Sequence, residues 1–185
     1  MFILASSSPR RQELLKQLIP NFKIVIPDID ERFIVARDSI LPQEIARTKA
    51  YNVHHLYPLD FVFACDTMVY FKGHRLGKPV DAADARRMLK LLSGQTHKVI
   101  SGYTLIGPTF EGNRTVVTRV TFNQLSNEFI NEYIEKGLPF GKAGSYGIQD
   151  NDFAIVKKIE GSYSNVMGLP LEDLKRTLKK LAIIF

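Results

Sequence analysis

Short apolar segments alternate irregularly with helical patterns along this chain, and this arrangement restricts the folds open to it. Apolar runs of about four to eight residues are typical of buried strands, whereas apolar residues three and four positions apart indicate amphipathic helices. A doubly wound parallel sheet would need strands and helices in strict alternation, which the chain lacks. The pattern therefore predicts one α/β or α+β domain over residues 1–185, with a mixed β-sheet and flanking helices.

Caps, turn residues and apolar spacing give the individual elements. Helices are expected from Ser8 and Pro9 onward, at 42–56, from Asp81 through Leu92, after Ser126, and from Pro170. Strands are expected at 2–5, 22–26, 61–64, 68–71, 98–106, 115–122 and 153–159. Turns are expected at 72–74 and 111–113, and the polar pair Asp66-Thr67 stands between two apolar strand segments.

The charge of the chain favours anionic ligands. The formal net charge is +6 at pH 7, and the pI is near 9.4. Such a balance attracts nucleotides, nucleic acids and acidic membrane surfaces without choosing among them. The basic residues are scattered, and no basic stripe is interleaved with aromatic residues. We therefore do not expect nucleic acid to be the primary ligand.

The sequence favours a reducing compartment and no membrane. No apolar run approaches the roughly 20 residues that cross a bilayer. The short apolar start lacks a basic region and indicates a first strand, not a signal peptide. Cys65 is the single cysteine and cannot form an internal disulfide. These features predict a cytoplasmic protein.

The opening turn carries residues that could bind an anion. A helix N-terminus presents unpaired N–H groups and a partial positive charge. Here it also carries Ser6, Ser8, Arg10 and Arg11, and a guanidinium can hold phosphate oxygens bidentately. A capped surface helix with solvated arginines explains the same residues equally well, so the spacing alone does not decide.

Two groups of carboxylates could bind a hard divalent cation. Asp28, Asp30 and Glu31 lie in one loop, where solvated side chains are the simpler interpretation. Asp66 is different, because it follows a buried apolar segment, where a charge is costly without a metal or a proton to transfer. Asp66 is therefore the strongest candidate for chemistry.

Other motifs are weaker or missing. Lys49, Lys78 and Lys142 stand beside Gly, Pro or Ala and could neutralise a polyphosphate, although most surface lysines do not. Cys65 is better explained as a small core residue than as a nucleophile. The histidines show no metal-ligand spacing, and no Walker A loop, HExxH or GxSxG motif is present.

Taken in order, several blocks of the sequence resemble the Maf (septum-formation-inhibitor-like) nucleotide pyrophosphatases. Each block is weak alone, but together they follow the family's order over nearly the whole chain. The matching residues are 4–15, 30–31, 49–50, 64–69, 77–79, 92–97, 142–149 and 168–170.

The resemblance implies a mixed α/β fold similar to that of inosine-triphosphate pyrophosphatases, with two lobes around a cleft. It implies cleavage between the α- and β-phosphates, a divalent cation such as Mg²⁺ or Mn²⁺, and compatibility with a homodimer. Residues 146–149 resemble the branch that acts on dTTP and UTP. By that analogy Asp66 is the catalytic acceptor, while Arg10, Thr67 and Gln149 contribute to substrate choice.

A mechanism built on this resemblance assigns the remaining residues. Glu31 and Asp30 would help Asp66 to hold the metal. The residues that would grip the phosphates are Ser8, Arg10, Arg11, Lys49 and Lys78. Gln149 carries both a donor and an acceptor, which suits the O4 and N3–H edge of uracil or thymine. Asp150 departs from the branch, which usually has Gly there; its carboxylate could alter base preference or point to solvent.

Two alternatives stay open. One is the family branch that acts on 7-methyl-GTP. The other is a non-enzymatic nucleotide or nucleic-acid binder that regulates cell division, which the basic pI would suit.

Overall fold

The computed structural model describes residues 1–150 and 152–184. Its strands are β1 (Phe2–Leu4), β2 (Lys23–Ile24), β3 (Phe61–Phe71), β4 (His74–Leu76), β5 (Thr96–Gly107), β6 (Phe110–Phe122) and β7 (Val156–Glu160). Its α-helices are α1 (Pro9–Lys16), α2 (Leu41–His54), α3 (Ala82–Leu92), α4 (Asn127–Glu135), α5 (Tyr163–Met167) and α6 (Leu171–Lys180). Short 3-10 turns lie at Glu31–Phe33 and Ala143–Ser145.

The described strands form one mixed sheet in the order β2-β1-β3-β5-β6-β7, and β4 pairs with β3. β1 is parallel to both β2 and β3, whereas β4 and β7 are antiparallel to their neighbours. The predicted mixed α/β fold is thus confirmed. Within the described residues, no helix combines the length and the apolar character that a membrane span requires.

The chain divides into two compact units. The first contains Met1–Thr67, Ser101–Val116 and the chain from Gly168 onward. The second contains Met68–Ile100 and Val117–Met167. The prediction of a single domain over residues 1–185 stays a prediction.

One apolar cluster of the first unit lies between α2 and the parallel strands. Ala46, Ala50 and Val53, at helical spacing along α2, belong to the same apolar cluster as Ile3 of β1 and Val62 of β3. Small residues on the helix allow it to approach the sheet closely. This packing also brings the buried face of α2 toward the middle of β3.

The second unit has an apolar core of its own. Its buried residues come from α3, α4, the strand segments of this unit and the loop before β7. Rings of His97, Phe122 and Tyr146 meet edge to face, with centroids 4.7–5.3 Å apart. Such pairs contribute roughly 0.5–1.5 kcal/mol beyond their buried area.

The prediction of two strand segments at 61–64 and 68–71 was wrong, because β3 runs without interruption through Asp66 and Thr67. The side chains of this polar pair meet polar partners in the fold, since Asp66 contacts Lys49 and Thr67 contacts Ser101. Asp66 therefore lies inside a strand and not at a strand end.

The turn predicted at 111–113 was also wrong. Those residues belong to β6, and the chain reverses at residues 108–109. Pro108 ends β5 because proline suits the second position of a tight turn. Glu111 and Asn113 look like turn residues, but Glu111 accepts from Arg47 Nε at 3.0 Å and from Asn113 Nδ2 at 2.7 Å.

Candidate active site

Asp66 lies in the middle of β3, and its side chain is only 13% exposed. The residues before it, Ala64 and Cys65, are fully buried. Lys49 Nζ donates to Asp66 Oδ1 at 3.0 Å, and Arg11 Nη2 lies 4.0 Å from the same oxygen. Opposite charges at these distances stabilise an ionised carboxylate inside a protein. Two cations therefore converge on one oxygen of Asp66.

Lys49 also joins Asp66 to Glu31. It is 8% exposed, on the buried face of α2. Its Nζ lies 2.5 Å from Glu31 Oε1 as well as 3.0 Å from Asp66 Oδ1. Glu31 begins the turn Glu31–Phe33 and is itself half exposed. A loop carboxylate and a strand carboxylate thus share one ammonium.

The structure brings together two of the three predicted metal ligands. Glu31 and Asp66 each place an oxygen within 3.0 Å of Lys49 Nζ. Asp30 instead caps the turn Glu31–Phe33 and pairs with Arg32 at 2.7 Å, and the hydrogen bonds from Arg32 lower the pKa of Asp30. Mg²⁺ is usually held by one or two carboxylates, with waters and phosphates. Glu31 and Asp66 fit that donor set, although no group of three or more His, Cys, Asp or Glu suited to a metal occurs in the described chain.

The carbonyl oxygen of Gly168 accepts hydrogen bonds from residues around Asp66. It accepts hydrogen bonds from Arg11 Nε at 3.0 Å and from Thr67 Oγ1 at 3.2 Å. Cys65 Sγ also donates to it at 3.5 Å. Gly168 has φ +118°, a backbone conformation that side-chain-bearing residues rarely adopt. The turn before α6 therefore orients Arg11 and Thr67 beside Asp66.

The opening of α1 is built as predicted. Ser8 is the N-cap, with its Oγ accepting from Arg11 N at 3.4 Å, and Pro9 begins the helix. Ser6 Oγ accepts from Ser8 N at 3.2 Å and from Arg11 Nη1 at 3.5 Å. Arg10 is half-buried in the first turn of α1. The phosphate contacts expected of Ser8, Arg10 and Arg11 stay predictions.

Thr67 has a second partner that the sequence analysis did not include. Its Oγ1 lies 2.7 Å from the Oγ of Ser101, which is fully buried in β5. Either hydroxyl can donate in this pair, and Thr67 Oγ1 also donates to the Gly168 carbonyl at 3.2 Å. Neither Ser101 nor the Gly168 carbonyl carries a sequence signal beyond the block at 168–170, since both act through tertiary contacts.

Cys65 has the properties of a core residue. Burial raises the pKa of its thiol from 9.0 to about 11. The thiolate is the nucleophilic form, so a thiol with a raised pKa is poorly reactive near neutral pH. This agrees with its interpretation as a small buried side chain.

Lys78 and Gln149 belong to the second unit. Lys78 is exposed in the loop after β4, and the preceding Gly77 carbonyl accepts from Gly144 N at 3.0 Å. The Gln149 Oε1 atom is buried and has no hydrogen-bond partner within the described chain. The substrate contacts predicted for Lys78 and Gln149 stay predictions.

Asp150 does not point into solvent. Its side chain is 10% exposed and forms an ion pair with Lys142 at 2.7 Å. Tyr133 also donates its hydroxyl proton to the same carboxylate. The departure from the family pattern is therefore part of a buried polar contact.

Comparison with solved structures places the fold in a known class. The Ham1 protein of Staphylococcus aureus has a similar fold, with a TM-score of 0.56 and 12% sequence identity. The match covers 97% of this chain and 98% of that chain. At this identity the likeness concerns the fold alone.

Sequence comparison identifies the family. The model of the family Maf, described as Maf-like protein, matches residues 1–181, and the chain belongs to this family. A dTTP/UTP pyrophosphatase of Koribacter versatilis is 43% identical over 183 residues, covering 98% of this chain and 95% of the relative. Proteins with the same name from Thermococcus onnurineus and Clostridium tetani are 44% and 41% identical. Those matches cover 93% of both chains and 98% of both chains, respectively.

Proposed function

We propose that this protein hydrolyses dTTP and UTP to the nucleoside monophosphate and pyrophosphate. The names of the relatives support this substrate choice. The observation that carries the proposal is the cluster in which Lys49 and Arg11 converge on the largely buried Asp66. A carboxylate between fixed cations suits phosphoryl chemistry, which depends on positioning and on neutralising developing charge.

In the proposed reaction, water attacks the α-phosphorus of the nucleotide. A bond forms between the water oxygen and phosphorus, and the bond to the oxygen bridging the α- and β-phosphates breaks. Asp66 accepts a proton from the attacking water, and pyrophosphate leaves with the bonding electron pair. Because both cations approach Oδ1, we assign the proton to Oδ2.

The cations of the chain neutralise the polyphosphate. Arg11 is held by the Gly168 carbonyl at 3.0 Å, so its guanidinium is already oriented before substrate binds. Orientation in advance lowers the entropic cost of reaching the transition state. Arg10, Lys49, Lys78 and the N-terminus of α1, with Ser8, are proposed to complete the phosphate contacts.

A divalent cation, Mg²⁺ or Mn²⁺, is part of the proposal. Glu31 and Asp66 would hold it, with Asp30 a weaker candidate because of its pairing with Arg32. Such a cation, when bound, neutralises phosphate charge and lowers the pKa of water.

Base selection is assigned to Gln149. Its buried amide oxygen has no donor within the described chain, whereas uracil and thymine present an N3–H. Its amide N–H would donate to O4 of the same base. Thr67 and Arg10 are proposed to contribute to substrate choice, as the family resemblance implies.

The decisive experiment measures pyrophosphate release from UTP, dTTP, CTP, GTP, ATP and 7-methyl-GTP, with Mg²⁺, with Mn²⁺ and with a chelator. We expect turnover of UTP and dTTP that the chelator abolishes.

Asp66→Asn should lose at least about 10³-fold in rate, since removal of a central catalytic group has effects of this size. Asp60→Asn is the matched control, because Asp60 pairs with the exposed amino terminus.

The other possible results of the nucleotide panel would favour one of the alternative functions. Preference for 7-methyl-GTP would assign the chain to the other branch of the family. Nucleotide binding without turnover would favour a regulatory binder. A cytoplasmic location and a homodimer remain part of the proposal, to be tested by fractionation and by the mass of the protein in solution.

A further inference from the structure

An ion pair closes the segment that carries Gln149. Lys142 Nζ lies 2.7 Å and 3.0 Å from the two carboxylate oxygens of Asp150. Both side chains are largely buried, at 14% and 10% exposure. A buried ion pair with further hydrogen bonds holds its geometry more strictly than an exposed pair. Residues 142 and 150 are therefore held together at the two ends of the segment.

Tyr133 connects this ion pair to the backbone of the segment. It lies in α4 and is fully buried. Its hydroxyl donates to Asp150 Oδ2 and accepts a hydrogen bond from Gly147 N at 3.0 Å. The phenol thus uses its donor and an acceptor lone pair at once. The segment is anchored to α4 through one side chain and one backbone N–H.

Gly147 is the residue that lets the backbone lie against the ion pair. A Cβ at this position would lie 2.6 Å from Asp150 Oδ2 and 2.8 Å from Lys142 Nζ. Asp150 N also donates to the Gly147 carbonyl at 3.3 Å. The backbone of residues 147–150 therefore forms a tight turn directly over the carboxylate.

Gln149 lies inside this turn, with a buried amide oxygen that has no hydrogen-bond partner in the described part of the chain. A buried acceptor without a donor costs free energy in the folded state. A ligand that brings a hydrogen-bond donor to this oxygen would remove that cost. Because the turn is anchored at both ends, it fixes where the Gln149 side chain leaves the backbone.

From this geometry we propose that Asp150 is a positioning residue for base selection. It holds the turn of Gln149 through Lys142 and Tyr133. The inference rests on the proposed function and deepens it, because it assigns the preference for uracil and thymine over cytosine to the anchored turn. An amide that rotates by half a turn exchanges its donor and acceptor and then suits cytosine. Gln149 Oε1 is enclosed within the fold, and the anchored turn keeps its surroundings in place, which opposes that rotation.

The test measures kcat and KM for UTP and CTP in Asp150→Asn, which keeps the size of the side chain and removes its charge. We expect KM for UTP to rise about tenfold, corresponding to about 1.4 kcal/mol of binding free energy, with kcat changed less than about twofold. KM for CTP should change little, so that the preference for UTP falls by about tenfold. Lys142→Met should have the same effect, and the double variant should be no worse than either single one.

Glu160→Gln with Lys158→Met is the matched control, because these residues form an exposed ion pair at 3.0 Å in the same unit. A merely structural role for Asp150 would lower the unfolding temperature and weaken UTP and CTP equally, which would overturn the inference. If Asp150→Asn does not fold, the same kcat and KM measurements with UTP and CTP are made on Lys142→Met. An active wild type whose preference is unchanged in these variants overturns the inference alone. A wild type inactive on every nucleotide overturns the proposed function together with it.

Discussion

Lys49 carries a charge at a largely buried position, where Glu31 and Asp66 compensate it. We predict that Lys49→Met lowers kcat for UTP by about 10²–10³, because it removes a fixed cation from the reacting region. The fold should persist, since methionine suits the apolar face of a helix. Lys16→Met is the control, because Lys16 is exposed at the end of α1 in the same unit. Activity within about twofold of wild type, measured by pyrophosphate release, would remove Lys49 from the mechanism.

His97 gives the protein a defined pH dependence of stability. It is 2% exposed, and burial lowers its pKa from 6.5 to about 4. Below about pH 6.5 the unfolded chain therefore binds a proton at His97, whereas the folded chain binds it only near pH 4. Stability that is present above pH 6.5 should be lost as the pH falls toward 4, by about 3 kcal/mol in total.

The measurement is urea unfolding of wild type and His97→Phe at about pH 7 and about pH 5. Phenylalanine cannot bond Tyr146, which His97 Nε2 meets at 2.8 Å, so the variant should be less stable at neutral pH. Its free energy of unfolding should nevertheless decline less with acid than that of wild type. Parallel declines would show that His97 does not titrate as proposed.

At the residue scale the sequence predicted the charged members of the site better than their supports. Asp66, Lys49, Glu31 and Arg11 were all named, and the structure brings them together. The carbonyl of Gly168 was not predicted. Every residue has the same backbone oxygen, and only tertiary packing gives this one a role.

Among the connecting elements, the turn before α6 is the one on which the site most depends. Gly168 holds φ +118° while its carbonyl accepts from Arg11 and Thr67. We predict that Gly168→Ala destabilises the protein by about 1–3 kcal/mol through backbone strain. It should also lower kcat/KM about tenfold or more, because the strained turn shifts the carbonyl that orients Arg11.

Gly137→Ala separates these two effects. Gly137 also has positive φ, at +71°, and nothing lies near its missing Cβ. Both variants should lose stability in thermal unfolding, but only Gly168→Ala should lose activity at a temperature where both are folded. Equal activity in the two variants would contradict the role of the turn.

Elements with local signals were predicted well, and those set by tertiary contacts were not. Ser8, Asp81 and Ser126 cap their helices as expected, because a cap is formed by residues close in sequence. β3 was predicted as two pieces because its polar pair finds partners only in the folded protein. α5, with five residues, is too short for a periodic pattern.

For the whole molecule, the sequence predicted the class of fold and not its topology. Mixed strands and helices indicated a mixed sheet, which the structure confirms. The position of β1 between β2 and β3 joins segments nearly 60 residues apart, and no local pattern specifies such a pairing. The net charge, by contrast, is a property of the whole chain that can be read directly from its composition.

That charge of +6 should affect how the protein meets a polyanionic substrate. We predict that kcat/KM for UTP falls about tenfold between about 0.1 M and about 1 M KCl, as the screening length shortens from about 10 Å to about 3 Å. The decrease should lie in KM, while kcat changes less than about twofold, because the cations around Asp66 are buried and poorly screened. A neutral osmolyte at equal osmolality is the control, with Mg²⁺ held constant. A kcat/KM that is independent of salt would show that the net charge does not contribute to capture. A decrease confined to kcat would show that salt instead screens the charges around Asp66.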